Sequence, residues 1–158
     1  MAEAELGSDL LGMLIDGIQS KKQIPSYFKK YDDKEAIVQG AEKKFLRTMA
    51  YVGALYPAEQ LKGTNWARVH FFNSLFCAVA HCLYGLPGLK DIPRKNLPKA
   101  KIGSIRTKLD EITAQYDAVT VDGAKPTKAL LSFIETSRRA TTDASSRKAR
   151  VAYICAQL

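Results

Sequence analysis

The chain is poor in the residues that most often carry chemistry. It has three cysteines, two histidines and one tryptophan among 158 residues. An odd number of cysteines without CxxC spacing argues against a disulfide framework. No nucleophile elbow, phosphate-binding glycine loop, HExxH pair or paired-carboxylate pattern occurs either. The sequence therefore supports no enzyme, and it predicts no catalytic residue and no cofactor.

Long apolar runs are also scarce. Only the segment 66–86 approaches the length of about 20 residues that a membrane-spanning helix needs. His70, Asn73, Ser74 and His81 interrupt this segment with polar groups. The first residues are acidic, so no secretory signal is recognisable. We therefore expect a buried helix, no membrane contact, and a cytoplasmic protein with reduced thiols.

Charges of both signs are present, with an excess of positive charge. Apolar residues make up 46% and charged residues 25% of the chain, which is typical of a soluble globular protein. A chain of 158 residues is long enough to bury a core, and we expect a single helical domain over residues 1–158. The net charge of +8 favours an acidic partner, with nucleic acid as the first candidate.

Apolar residues recur at steps of three and four through most of the chain, and no useful stretch alternates as a strand would. This spacing predicts an all-α fold, a single compact bundle of about six helices around a central buried helix at about 65–85. The central helix should begin at Trp66, behind a cap from Thr64 or Asn65. Candidate caps for three other helices are Asp32 or Asp33, Thr127, and one of the residues 141–143.

A proline- and glycine-rich segment, residues 86–100, follows the central helix. It is expected to be a long ordered loop or a hinge between subdomains. The stretch from 90 to 108 holds the strongest positive run of the chain, against the single acid Asp91. Mobile cations on a protruding loop can contact phosphates, and the alternative is a solvated loop and helix start. The basic residues of this run are Lys90, Arg94, Lys95, Lys99, Lys101, Arg106 and Lys108.

A second basic cluster lies in the segment RRATTDASSRKAR, residues 138–150. Arginines and hydroxyls gathered at a helix N-terminus can hold an anion, because free backbone N–H groups and the helix dipole point the same way. The alternative is ordinary capping by Thr142 or Asp143, with the arginines solvated or paired with acidic side chains. The cations that the first interpretation assigns to nucleic acid are Arg138, Arg139, Arg147 and Arg150.

Cys77 and His81 are the nearest approach to a metal site. They are four residues apart on the central helix, so both could face one ion. Two ligands from one helix do not make a site, and the spacing of Cys155 and His70 does not show that they complete it. A buried thiol and a core histidine are the commoner arrangement, and we predict no metal site.

Three segments of the chain carry a resemblance to a known group of proteins. They are LLGMLIDGIQSKKQIPSYFKKYD at 10–32, NWARVHFFNSLFCAVA at 65–80, and RRATTDASSRKAR at 138–150. In this order they resemble the helical C-terminal half of bacterial proteins that carry an N-terminal ParB-like nuclease domain of the GmrSD restriction type. The resemblance covers nearly the whole chain through short motifs.

This resemblance implies a restriction or phage-defence context with DNA as the eventual substrate. It implies that the chain is the C-terminal part of a longer protein or a truncated relative. The family's Asp-Gly-Gln-Gln-Arg-like motif belongs to the N-terminal domain, and no such stretch occurs here. The resemblance thus implies DNA contact, regulation of a nuclease domain or assembly, and it supplies no catalytic residue.

Three functional hypotheses follow. The first is a non-catalytic accessory domain that binds the DNA backbone through the two basic clusters. The second is a protein-interaction or homodimerisation domain that docks on a ParB-like nuclease domain or subunit without binding nucleic acid. It predicts an exposed apolar patch on the first helix. The third is a metal-dependent enzyme using Cys77 and His81, which bound zinc or iron in purified protein would support.

Overall fold

The helical periodicity of the sequence becomes eight α-helices, with no strand in residues 2–20 and 24–158, the part of the chain that the computed structural model describes. Two short 3-10 turns precede α5 and α6, at Asn65–Ala67 and Lys99–Lys101. The helices are α1 (Ala2–Asp16), α2 (Ile24–Tyr31), α3 (Glu35–Leu55), α4 (Ala58–Leu61), α5 (Val69–Tyr84), α6 (Ile102–Thr120), α7 (Lys128–Arg138) and α8 (Ala144–Gln157).

The all-α bundle predicted from the sequence is confirmed. Six of the helices have eleven or more residues and match the predicted ones: α1, α3, α5, α6, α7 and α8. The two additional helices, α2 and α4, have eight and four residues. Helix α4 is too short for the apolar pattern to reveal it, whereas the helical spacing of Tyr27, Phe28 and Tyr31 indicates the short helix α2.

Helix α5 is the centre of the bundle. It packs against α1, α3 and α8, and its residues from Asn73 to Cys82 are all buried. The predicted start at Trp66 is wrong, because α5 begins at Val69 after a 3-10 turn that contains Trp66. Trp66 is nevertheless fully buried, and its ring meets Phe71 edge to face at 5.8 Å.

Aromatic rings connect α5 to the C-terminal helices. Phe71 meets Tyr116 of α6 edge to face at 5.1 Å and lies 5.7 Å from Phe133 of α7. Phe133 stacks on Tyr153 of α8 at 4.7 Å. Each fully buried phenylalanine contributes about 1.5–3 kcal/mol through burial, and such ring pairs add about 0.5–1.5 kcal/mol. This cluster holds α6, α7 and α8 against α5.

The capping predictions have mixed outcomes. Thr127 caps α7 as predicted, because its hydroxyl accepts the N–H of Leu130 at 3.2 Å. Asp143 occupies the N-cap position of α8, but its side chain makes no capping hydrogen bond. Helix α3 begins after Lys34, so neither Asp32 nor Asp33 caps it.

None of the described helices is both long and apolar enough to cross a membrane. Helix α5 has 16 residues, and its polar side chains Asn73, Ser74 and His81 are buried inside the protein and hydrogen bonded there.

Candidate nucleic-acid interface

The loop that follows α5 is held by His81. The N–H of Leu86 donates to His81 Nδ1 at 3.1 Å. Since Nδ1 acts as acceptor, the proton resides on Nε2, which donates to the carbonyl of Ile92 at 2.9 Å. Both nitrogens of this buried ring therefore form hydrogen bonds with the loop backbone, and neither is free for a metal ion. The described residues contain no group of three or more histidine, cysteine, aspartate or glutamate side chains that could hold one.

Buried leucines fasten the same loop to the core. Leu86, Leu89 and Leu97 are at most 7% exposed and belong to the hydrophobic core. Gly17, directly after α1, has a φ of +79° and faces the loop so closely that a Cβ would overlap the carbonyl oxygen of Pro87. Only glycine fits this position. The segment is therefore an ordered loop attached to the core along its length.

The lysines of this loop project from the fixed backbone. Lys90, Lys99 and Lys101 are exposed and Lys95 is half-buried. None of the four is joined to a carboxylate by a salt bridge in the described part of the chain. We call these four residues the loop lysines. Sequence reasoning missed Lys148 of α8, whose ammonium group lies beside Gly88 of the loop.

Two arginines that were predicted to contact DNA are already engaged by the protein. Arg94 donates to the carbonyls of Cys82 and Leu83 at 2.8–3.3 Å, which satisfies unpaired carbonyls at the end of α5. Arg106 donates to Gln60, lies 3.6 Å from a carboxylate oxygen of Asp110, and stands over the Tyr56 ring. Lys108 donates to the carbonyl of Leu158 at 2.8 Å. The loop lysines are therefore the cations of the run 90–108 whose ammonium groups have no salt bridge or hydrogen bond within the described residues.

Arg138 and Arg139 are exposed at the end of α7. They line an open cleft of about 840 Å³ together with Thr120 and Ser146. Ala140, the next residue, has a φ of +47°, a left-handed conformation that is strained for a residue with a Cβ. The turn between α7 and α8 is therefore held in a specific shape that presents these two arginines to solvent.

Arg147 lies in the core, so the prediction that it contacts nucleic acid is wrong. Only 3% of the residue is exposed. Its guanidinium donates to the Asp9 carboxylate at 2.6 Å, to the side-chain oxygen of Asn73 at 3.1 Å and to the carbonyl of Gln19 at 2.6 Å. A buried charge is tolerated only when it is paired and hydrogen bonded. Moving Arg147 to a phosphate would leave Asp9 buried without its partner.

Arg150 is also buried, and its assignment to nucleic acid is wrong for the same reason. Its guanidinium donates to the Ser74 hydroxyl and the Thr141 carbonyl, both at 2.8 Å, and to the Thr136 carbonyl. Burial and the positive charge of Arg147 lower the pKa of Arg150 to about 10, so the side chain stays charged at neutral pH. Arg150 thus ties α5 to the end of α7 and to the turn that displays Arg138.

The sequence does contain a signal for this inward orientation. Arg147, Arg150, Val151 and Ile154 recur at helical spacing, so both arginines lie on the apolar face of α8. Asn73 and Ser74 in the middle of the otherwise apolar helix α5 are the corresponding signal for the acceptors of these arginines. Periodicity applied to the arginines themselves predicts the burial that their charge alone would argue against.

A small cleft of about 150 Å³ opens beside this buried network. Its lining includes His70, Asp9 and Arg147. His70 Nε2 is buried without a hydrogen-bond partner among the described residues. Burial and the positive charges of Arg150 and Arg68 lower the pKa of His70 to about 4. The imidazole is therefore neutral at pH 7 and a poor general base near neutrality.

The exposed apolar patch expected on the first helix is not found in the described part of that helix, because its apolar side chains are partly covered. Leu6, Leu11 and Ile15 of α1 are half-buried against the core. Among the described residues, the large exposed apolar side chains of the N-terminal half lie instead on α3 and at the start of α5: Ile37, Val38, Leu46 and Val69.

The fold and the loop together define an all-α bundle that displays lysines on a fixed, proline-rich loop. Comparisons with protein-family models, with curated proteins and with solved structures found no match for this chain. The resemblance to the helical half of GmrSD-type proteins thus stays a prediction.

Proposed function

We propose that this chain is a non-catalytic accessory domain that binds the DNA backbone through its loop lysines, within a restriction or defence nuclease system. The observation that carries the proposal is the contrast within one segment. Leu86, Leu89 and Leu97 anchor the backbone in the core, while Lys90 and Lys99 extend from it into solvent.

An anchored backbone favours phosphate binding for an energetic reason. Ordering a residue on binding costs about 1–2 kcal/mol of backbone entropy, and a loop that is already fixed avoids this cost. Each lysine that meets a phosphate releases a condensed counterion. Four contacts would give a slope of roughly −3 to −4 in a plot of log K against log salt concentration. The contacts go to phosphates alone, so the proposal includes no sequence preference.

The choice of DNA as the nucleic acid in this proposal rests on the family resemblance. The nuclease context and the cytoplasmic location rest on it as well. The described residues contribute the cationic surface. In this proposal Arg138 and Arg139 extend the contact, whereas Arg147 and Arg150 stabilise the fold. The nuclease domain or subunit of the same system would carry out the chemistry.

The test is binding to a fluorescent DNA duplex by anisotropy across a salt series. The variant Lys90→Glu/Lys99→Glu/Lys101→Glu reverses three loop lysines. The control Lys29→Glu/Lys43→Glu/Lys125→Glu makes the same change in net charge at exposed lysines elsewhere. We expect saturable binding at low salt, a steep decrease with salt, and loss in the loop variant only.

Two results would count against this function. Equal weakening in both triple variants would show that net charge alone attracts the duplex. Absence of binding by the unmodified protein at low salt would reject DNA binding altogether.

A second candidate is docking on a nuclease domain without nucleic-acid binding. The observation that favours it is a pair of adjacent, exposed apolar side chains near the start of α3, Ile37 at 45% and Val38 at 37% exposure. Apolar side chains that share a surface often mark a protein contact. Co-purification with the nuclease domain, lost on substitution of these residues, would support this candidate.

A further inference from the structure

A groove of about 630 Å³ runs between α1 and α3 and is separate from the loop lysines. Leu11 and Ile15 of α1 and Val38 and Ala41 of α3 supply its apolar surface. Val38 is 37% exposed, although it faces a helix packed beside its own. The two helices therefore leave an apolar channel open to solvent.

One end of the groove is closed by the C-terminal end of α2. The hydroxyl of Tyr31 donates to Asp16 at 2.7 Å, and the ammonium group of Lys30 approaches the same carboxylate at 2.8 Å. These contacts fasten α2 to the end of α1. Tyr31 and Asp32 consequently form a fixed wall of the groove.

The lining of the groove carries negative charge, and the ammonium groups of Lys30 and Lys34 lie over the Tyr31 ring at one end of it. Its lining contains the carboxylates of Asp32, Glu35 and Glu42, and no lysine or arginine among the described residues. None of the three carboxylates forms a salt bridge in the residues that the structure describes. An acidic groove on a chain of net charge +8 selects for a cationic partner.

We infer that this groove binds an amphipathic helix of a partner protein, with an apolar stripe toward Leu11, Ile15 and Val38 and with lysine or arginine beside that stripe. The groove lies between two packed helices, and a third helix is the element that fills such a space in a bundle. The lining of α3 extends from Glu35 to Glu42, about 10 Å along a helix axis. This length matches two turns of a partner with anchors at positions i, i+3 or i+4, and i+7.

The inference deepens the docking candidate by naming the chemistry of its partner, and it does not require DNA binding. The acidic lining would repel a DNA backbone, so the groove and the loop lysines select different partners. A substitution that abolishes binding of the partner helix should therefore leave DNA binding by the loop lysines unchanged, and the reverse should also hold.

The test uses a fluorescein-labelled 18-residue peptide with leucines on one helical face and lysines on the others. One control peptide has the same composition with leucines distributed around the helix, and another has glutamate in place of lysine. Binding to the full chain is followed by anisotropy at moderate salt. We expect saturable binding of the amphipathic basic peptide only.

Matched variants locate the binding. Val38→Asp and Glu35→Gln/Glu42→Gln should each raise the Kd of the amphipathic basic peptide by about tenfold or more. The loss of one apolar anchor or one charge pair can produce a change of this size. Leu46→Asp, on the same helix but outside the groove lining, should leave affinity within about twofold because the peptide does not reach it. Glu111→Gln/Asp122→Asn removes two exposed carboxylates elsewhere as a charge control. Val38 is partly exposed, so its variant should fold, which circular dichroism verifies.

Several outcomes would overturn the inference. These are equal binding of all three peptides, no binding by the unmodified protein, or no effect of Val38→Asp. Sedimentation velocity of the chain alone provides a further test. A dimer that Val38→Asp dissociates would show that a second copy of the chain occupies the groove instead of a partner helix. DNA binding of Val38→Asp should equal that of the unmodified protein, which separates this result from the fate of the loop lysines.

Discussion

The guanidinium of Arg147 and the carboxylate of Asp9 form a 2.6 Å ion pair between residues that are 138 positions apart in the sequence. Both side chains are at most 10% exposed. Asn73 of α5 bonds to both partners, donating to Asp9 and accepting from Arg147. One polar network thus joins α1, α5 and α8 inside the core.

Asp9→Ala should be among the most damaging substitutions in the chain. It leaves the Arg147 charge buried without a counterion, which typically costs about 3–5 kcal/mol. Equilibrium unfolding in urea, followed by circular dichroism at helical wavelengths, measures the loss. Glu59→Ala breaks the exposed pair with Lys62 and is the control, expected to cost at most about 1 kcal/mol.

The double variant Asp9→Leu/Arg147→Met should recover part of that stability. Apolar replacement of a complete buried pair is often neutral or stabilising, because both desolvation costs disappear together. A double variant that is no more stable than Asp9→Ala would contradict this account of the pair.

Arg150→Lys should destabilise the protein although it conserves the charge. The planar guanidinium donates to three acceptors on different segments, and a lysine ammonium cannot reproduce that geometry. Leaving one buried acceptor unsatisfied costs about 1–3 kcal/mol. Urea unfolding should show a loss in this range for Arg150→Lys. The exposed Arg139→Lys should stay within about 0.5 kcal/mol of the unmodified protein, and equal effects of the two would contradict the prediction.

His70 should make folding stability depend on pH below neutrality. Its pKa is lowered to about 4 in the folded chain, against 6.5 as the ordinary value. The unfolded state therefore takes up the proton first as the pH falls. The contribution of His70 to the free energy of unfolding is therefore complete above pH 6.5 and declines as the pH falls toward 4. Its upper limit is roughly 3 kcal/mol.

Urea unfolding from pH 4.5 to 7 measures this dependence, and a His70→Phe variant isolates it. Carboxylates also titrate at the lower end of the range, so the informative quantity is the difference between the two proteins. That difference should favour the unmodified protein increasingly as the pH rises. A difference that is constant with pH would reject the assignment to His70.

Two glycine-to-alanine substitutions should have opposite effects. Gly17 has a positive φ and no space for a Cβ against Pro87, whereas Gly53 lies within α3 and has open space where the alanine methyl group would stand. Gly17→Ala should destabilise by about 1–3 kcal/mol, as overpacking does. Gly53→Ala should stabilise by about 0.5–1 kcal/mol, since alanine loses less entropy in a helix. Thermal unfolding of both variants checks the prediction, which fails if their effects have the same sign.

The helices of this protein are predictable from sequence because their signal is local. Steps of three and four between apolar residues identify the six long helices, and Thr127 marks the start of α7 through a hydroxyl three residues from its partner N–H. The start of α5 is not predictable in this way. Trp66 continues the apolar pattern, and only the extended backbone of Arg68 separates its 3-10 turn from α5.

The candidate site was predictable in part. Three of the loop lysines are exposed, and so are Arg138 and Arg139, as their charge suggested. Arg94, Arg147 and Arg150 are held by the protein because their acceptors come from other segments of the chain. The number of charges in a stretch of sequence does not show whether a guanidinium is solvated or is hydrogen bonded to acceptors elsewhere in the fold.

The sequence by itself determined the helical class, the central apolar helix and the basic, proline-rich character of the loop, since each depends on neighbouring residues or on composition. The tertiary structure decided which cations remain free, because the burial of Arg147 depends on Asp9 and the fixed loop depends on His81. It also decided that Val38 borders an open acidic groove. Whether a helix face is covered depends on what packs beside it, and that is a property of the assembled bundle.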